Sequence, residues 1–341
     1  MKAMVLDSYN AELKLSEKTK PQPQSGEIVL RVTHCGICGT DLKIVTGKLA
    51  AIIKLPHIPG HEIVGRVESV GKKVEGISEG DKGVAYFYIG CGVCEMCRSG
   101  RENICYYLKR LGFERDGGFA EYVRMPAYNF CKYEADISGE KMAVLPDAVA
   151  TSYHALKTMG GVRIGQTVLI VGLGGLGIHA LQLAKMMGAA VVGTSRRKEV
   201  QEAARLFGAD LIINPAEGDP LKMIQDFTGG RGVDVVIENV GTSDTLTWSL
   251  PSLKKGGNLV LVGYDPTSPV ALDSLSMHYN EWTVRGSRVS TKQELVEVLR
   301  LVEKRMIEPV VTRVLPLEEA NLGLSEVGSK KNIGRVVLAV G

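Results

Sequence analysis

The run from Val168 to Arg197, VLIVGLGGLGIHALQLAKMMGAAVVGTSRR, restricts the fold more than any other part of the chain. An apolar stretch with the character of a buried strand ends at glycines 172, 174 and 177, spaced G-x-G-x-x-G, and a helical pattern follows before a second apolar strand. Glycine is common here, with 40 in the chain, so the spacing alone says little. Its position between a strand and a helix says much more. In such a unit the first glycine permits a tight turn and the second lets backbone N–H groups approach a pyrophosphate. The third allows close helix–strand packing, and the helix N-terminus favours negative charge. Gly172, Gly174, Gly175, Leu176 and Gly177 are therefore candidate dinucleotide contacts. The same loop explains why Gln166 to Ala184 carries no Asp, Glu, Lys or Arg. Four glycines make that stretch a poor membrane helix and a good nucleotide turn.

The alternation continues downstream. KEVQEAARLFGA, LIINP, PLKMIQDFTGG, VDVVIENVG, TLTWSLPSLKKGG and NLVLVGY read alternately as helix and strand, which predicts a parallel sheet covered on both faces. Before it, GEIVLRVTHCGICGTD and GHEIVGRVESVGKKVEGISEGDKGVAYFYIG alternate apolar and polar residues between glycine-containing turns, as half-buried strands do. A chain of 341 residues suits two domains of this kind. The expected division is a β-rich domain over 1–147 and an α/β nucleotide domain over 148–284. The segment 285–341, too small for a third domain, is expected to return to the first.

The end of the second strand discriminates between dinucleotides. NAD sites usually place Asp or Glu there to bond the ribose 2′-hydroxyl. This chain has Ser195 followed by Arg196, Arg197 and Lys198. No carboxylate repels a 2′-phosphate, and guanidinium groups can clamp one bidentately, so the charge pattern favours NADP(H) over NAD(H). A solvated basic turn is the plain alternative. With 41 basic and 38 acidic residues the net charge is only +3, which gives no electrostatic case for a nucleic-acid or membrane-surface partner. The opening residues, MKAMVLDSYN, lack the long apolar core of a signal peptide, and a cytoplasmic location is the expectation.

Four of the seven cysteines, at 91, 94, 97 and 105, fall in CGVCEMCRSGRENIC. Disulfides are rare in a reducing compartment, and bridges packed this densely would be strained. The spacing also differs from the common ferredoxin patterns. Gaps of two residues let thiolates converge on one tetrahedral ion, so structural zinc is the favoured reading. Four thiolates fill the coordination shell and leave no place for substrate. The lobe, about 90–106, then has a structural role, and the chemistry lies elsewhere.

Candidates for that chemistry are Cys38, His61 and Glu62 in CGICGTD and PGHEIVG. Mixed thiolate, imidazole and carboxylate sets are what catalytic zinc uses, with one position open. Spacing alone leaves other readings standing: Cys38 as a buried thiol and His61 as a core histidine.

Gly60-His61-Glu62, Gly65, Gly71 and Val74 match G-H-E-x₂-G-x₅-G-x₂-V. With the cysteine lobe and the glycine loop following in order, the chain resembles the zinc-dependent medium-chain alcohol dehydrogenases over nearly its whole length. The resemblance implies a GroES-like β-rich catalytic domain joined to a Rossmann domain, with substrate in the cleft between them. It makes Cys38 and His61 ligands of a catalytic zinc, with Glu62 an adjacent carboxylate that binds the ion or exchanges with water. It places the third ligand at Asp147 in AVLPDAVATSYHAL. Thr40 would relay a proton through its hydroxyl, and Asp41 would orient the histidine. Many members carry histidine three residues after the threonine; here it is Lys43, which leaves the outer relay to lysine or water. The implied enzyme holds two zinc ions per chain and interconverts small-molecule alcohols and carbonyl compounds. It is a homodimer or homotetramer. A polyol dehydrogenase of the same family and a non-catalytic nucleotide-binding protein are the alternatives. Cys35, Cys131, His57, His154 and His179 are expected to be structural.

Overall fold

Burial of whole strands builds one half of the molecule. Every residue of the Thr167–Val171 and Val233–Glu238 strands is buried, as a strand covered by helices on both faces requires. In this computed structural model, which describes residues 1–265 and 269–341, these two strands lie at the centre of a six-stranded sheet. Its order is Leu211–Ile213, Ala190–Thr194, Thr167–Val171, Val233–Glu238, Leu253–Leu261 and Thr283–Gly286, with every pairing parallel. In chain order that is 3-2-1-4-5-6, the doubly wound dinucleotide-binding arrangement. Leu169, Val171, Val192, Val236 and Leu259 pack with Ile224 and Leu246 from the crossover helices into its apolar core.

The chain divides into two compact units. The unit just described comprises Thr151–Val289 and Met306–Glu308; the other comprises Met1–Ala150, Ser290–Arg305 and Pro309–Gly341. The second of these is built on a seven-stranded sheet whose pairings are antiparallel apart from one at its edge. Its central Glu27–Ile37 strand pairs on one side with Glu62–Val70 and on the other with Arg335–Ala339, from the far end of the chain.

The register of that central strand positions the site. Gly36 lies opposite Glu62, and Ile37 lies opposite Val336. Cys38, His61 and Arg335 therefore emerge at one end of the sheet. A Cβ on Gly36 would sit 2.0 Å from Glu62 Oε2, so only glycine leaves room for that carboxylate. Asp147 arrives separately, in a wide π-type turn over Leu145–Val149 that is fully buried and contains Pro146. Single π-turns of this kind often mark functional positions. Among the described residues no helix is long and apolar enough to cross a membrane.

Candidate metal centres and nucleotide loop

Cys38 follows the central strand directly and caps the short Gly39–Val45 helix, which carries Thr40 and Asp41 in its first turn. Asp41 turns back: its Oδ2 accepts the Cys38 N–H at 2.8 Å, and its Oδ1 lies 3.3 Å from His61 Nδ1. With Nδ1 held toward a carboxylate, the lone pair of Nε2 is left for a metal, the usual orientation of a ligating histidine. Cys38 Sγ stands 3.3 Å from Asp147 Oδ2, and His61 Nε2 stands 3.8 Å from the same oxygen. Ligand atoms of Cys38, His61, Glu62 and Asp147 all lie within 4.8 Å of one another, and all four residues are buried. Glu62 Oε2 has no hydrogen-bond partner among the described residues. A buried thiol, imidazole and two carboxylates so close together are a donor set that fits a divalent cation of zinc's preferences.

The electrostatics of the cluster are those of a buried, charged site. Burial works to lower the His61 pKa, but the Asp41 carboxylate first, with the neighbouring Asp147 and Cys38 side chains, outweighs it and holds the ring well above the ordinary histidine value. Burial pushes Glu62 up to about 8, with the Arg335 guanidinium pulling the other way. The His61 shift records the negative charge around the ring, whereas the Glu62 shift records burial first and the Asp147 carboxylate only after it.

The second cluster closes on itself. Cys91 and Cys97 sulfurs are 4.0 Å apart, and those of Cys94 and Cys105 are 3.8 Å apart. Four sulfurs about 2.3 Å from a central zinc would have tetrahedral edges of about 3.8 Å. No disulfide joins the described cysteines. Backbone N–H groups point at the sulfurs, from Cys91 to Cys105 at 3.2 Å and from Cys94 to Cys91 at 3.4 Å. Such donors favour thiolate, and the one from Cys97 leads the causes that bring Cys94 down to about 6.

In the nucleotide loop Gly172 adopts φ +84°, and a Cβ on Gly177 would meet the Gly172 carbonyl oxygen at 2.1 Å. The first glycine thus serves the turn and the third the close packing of strand and helix. Around Gly174 a Cβ would meet nothing within 4 Å, which leaves that backbone open to a ligand. Thr194 Oγ1 accepts the Gly172 N–H at 3.0 Å and ties the loop to the neighbouring strand. Beyond that strand Ser195 Oγ accepts the Arg197 N–H at 3.2 Å. Arg196 is exposed and makes no ion pair among the described residues, whereas Arg197 Nε lies 4.0 Å from Glu199.

Comparison with known proteins covers both units. Residues 24–135 match the family model "alcohol dehydrogenase GroES-like domain", and 175–304 match "zinc-binding dehydrogenase". An alcohol dehydrogenase of Geobacillus stearothermophilus is 36% identical over 339 residues, covering 99% of this chain and 98% of its own. The chain belongs to the zinc-dependent medium-chain dehydrogenase family. Other members of this family carry different names at similar distance. From Sulfurisphaera tokodaii come an NAD-dependent alcohol dehydrogenase, 33% identical, and an acryloyl-coenzyme A reductase, 32% identical, each covering 99% of both chains. Among solved structures, an NAD-dependent alcohol dehydrogenase superimposes with a TM-score of 0.94 at 31% identity, covering 100% of both chains. A zinc-binding dehydrogenase from Sinorhizobium meliloti 1021, bound to NADP, does so at 0.91 and 29%, covering 99% of this chain and 98% of its own.

Within this zinc-binding dehydrogenase several site residues escape a reading of the sequence. Arg335 is buried; its Nε donates to Glu62 Oε1 and its Nη2 to Asp147 Oδ2, both at 2.8 Å, with Cys38 Sγ 3.6 Å away. Nearly three hundred residues of chain separate it from Cys38, and only strand register joins them. Phe87 and Phe113 flank His61, with ring centroids 4.9 and 5.2 Å from the imidazole. AYFYIG, an aromatic run just before the cysteine lobe, was the one available signal. Cys35 and Cys131 are buried, His57 Nε2 lies 3.0 Å from the Gly112 carbonyl, and His179 Nδ1 donates to the Gly175 carbonyl at 2.7 Å. Lys43 lies half-buried one helical turn after Thr40.

Proposed function

We propose that this dehydrogenase interconverts alcohols with aldehydes or ketones by hydride transfer to or from a nicotinamide dinucleotide, preferring NADP(H). The observation that carries the reading is the buried convergence of Cys38, His61 and Asp147 beside a hydroxyl-bearing residue. Zinc held by those three would supply Lewis acidity toward a carbonyl or alcohol oxygen. The chain does the rest. Asp41 fixes the His61 ring through Nδ1, and Arg335 holds Glu62 and Asp147 in place. Thr40, with its Oγ1 3.6 Å from Cys38 Sγ, takes or returns the substrate proton. From there the proton passes to Lys43 or water. Cys91, Cys94, Cys97 and Cys105 hold a second, structural zinc.

For the cofactor, support comes from Ser195 in place of an acidic residue and from the exposed Arg196 beside it. Relatives named for NAD make the choice a question for this chain's own residues. Steady-state kinetics with NADPH and NADH across alcohols, aldehydes, ketones, polyols and acryloyl-coenzyme A would test the reading. NADPH is expected to give the higher kcat/KM, and Arg196→Glu to lower it about ten- to hundredfold while sparing NADH. Equal use of both cofactors by wild type would overturn the preference. Reduction confined to acryloyl-coenzyme A would move the enzyme toward the relatives of that name.

We further propose a homodimer or homotetramer. The Thr283–Gly286 strand ends its sheet and pairs on one side among the described residues, and the adjoining Ser274–Asn280 helix has no buried residue. Exposed Leu275 and Tyr279 on that helix offer apolar surface to a second copy.

A further inference from the structure

Glu102 is a nearly buried carboxylate in the one-turn helix Glu102–Ile104, between the third and fourth cysteines of the metal lobe. Its Oε1 accepts the backbone N–H of Lys292 at 2.7 Å, across 190 residues of sequence. Lys292 is the first residue of the Lys292–Glu303 helix. N–H groups of a first helical turn have no partner within the helix. Here the capping box formed by Thr291 and Glu294 serves its own members: Thr291 N–H donates to Glu294 Oε2 at 2.8 Å, and Glu294 N–H to Thr291 Oγ1 at 3.3 Å. Glu102 takes a donor that the box leaves over, and its charge suits the positive end of the helix.

That helix leads to the other metal centre along two routes. Its buried residues Leu295, Val298, Leu299 and Val302 are part of the unit's core, and it lies against the Leu145–Val149 turn that carries Asp147. Just before the helix, the Ser290 carbonyl accepts the buried Tyr86 hydroxyl at 2.9 Å, and the next residue, Phe87, packs on the His61 ring.

We infer that Glu102 is a positioning residue linking the four-cysteine lobe to the Cys38–His61–Asp147 centre through the Lys292–Glu303 helix. The lobe around it is made largely of exposed and half-exposed residues over 91–101, so its ion is what holds Glu102 in place. When that hold is lost, the helix N-terminus loses its partner and the Asp147 turn slackens. Losing such outer support typically weakens a metal site about ten- to hundredfold. This inference concerns metal retention and does not depend on the substrate or on the preferred nucleotide.

Two substitutions cut the link without touching a sulfur. Glu102→Ala removes the acceptor. Lys292→Pro removes the donor, at a first helical position that proline tolerates, and Thr291 already has the extended backbone a residue before proline needs, at φ −80° and ψ 162°. It also removes the ammonium that stands 3.9 Å over the Tyr128 ring, so Lys292→Ala, which loses that contact and keeps the N–H, is the control and should leave Cys38 protected. Full-length, zinc-loaded protein is exposed to a chelator and a thiol alkylating agent, and modification of each cysteine is followed by mass spectrometry. Hydrogen exchange over residues 143–151 is recorded in parallel. In Lys292→Pro, Cys38 should be modified about tenfold faster while the four lobe cysteines stay protected, and exchange at 143–151 should rise. Glu102→Ala should accelerate Cys38 at least as much. If Glu102→Ala fails to fold, Lys292→Pro alone decides. Unchanged Cys38 protection and unchanged exchange in Lys292→Pro would overturn the inference.

Discussion

At the scale of single residues, the site depends on who neutralises whom. Arg335 is the buried cation among Cys38, Glu62 and Asp147, and its two hydrogen bonds at 2.8 Å go to different carboxylates. Removing one partner of a buried ion pair leaves an uncompensated charge and typically costs about 3–5 kcal/mol. Arg335→Met is expected to lose stability in that range in denaturant unfolding of the zinc-loaded protein. A change under about 1 kcal/mol would mean that the carboxylates do not rely on it. The proton route gives a second test at this scale. Thr40→Ala should lower turnover about a hundredfold or more, as the loss of a positioned acid–base group does, and Lys43→Ala far less. Comparable large losses for both would show that the lysine is an obligatory member of the relay. Thr40 was open to a motif reading because it sits two residues from Cys38. Arg335 was not, since nothing near GRVVLAV marks a partner far away in the chain.

At the scale of elements, two kinds of segment behave differently. The nucleotide loop is local: strand, glycines and helix are contiguous, so the glycine spacing read between a strand and a helix predicts the close approach that the structure shows. Gly177→Ala would place a methyl group 2.1 Å from the Gly172 carbonyl oxygen. Overpacking of this kind typically costs about 1–3 kcal/mol. Calorimetric titration with NADPH should also show weaker binding, because the loop backbone must retreat. Unaltered stability together with unaltered affinity would show that the loop can yield. The Leu145–Val149 turn is the contrary case. The sequence around Asp147 is apolar with a proline and carries no motif of its own, and the structure places it in a fully buried π-type turn. Asp147 was accessible through family resemblance, and periodicity could not have found it.

For the whole molecule, metal content is the measure. Two ligand clusters of different kinds, one closed by four sulfurs and one mixed and buried, predict two zinc ions per chain by elemental analysis of protein purified with zinc present. Cys38→Ser should bring the count close to one while leaving the four-cysteine ion in place. A wild-type count of one would remove the catalytic metal from the account.

Sequence alone determined what depends on neighbours along the chain. The alternation of strand and helix over 148–284, the glycine loop, the basic turn at Ser195–Arg197 and the cysteine lobe are all contiguous patterns, and backbone geometry acts locally enough to make them readable. Only the tertiary structure decided how distant segments meet: the register that sets Gly36 opposite Glu62 and Ile37 opposite Val336, the Arg335 bridge, and the Glu102 bond to Lys292. Strand pairing and burial join residues hundreds of positions apart at a hydrogen bond's length, and no spacing rule along a chain encodes that distance.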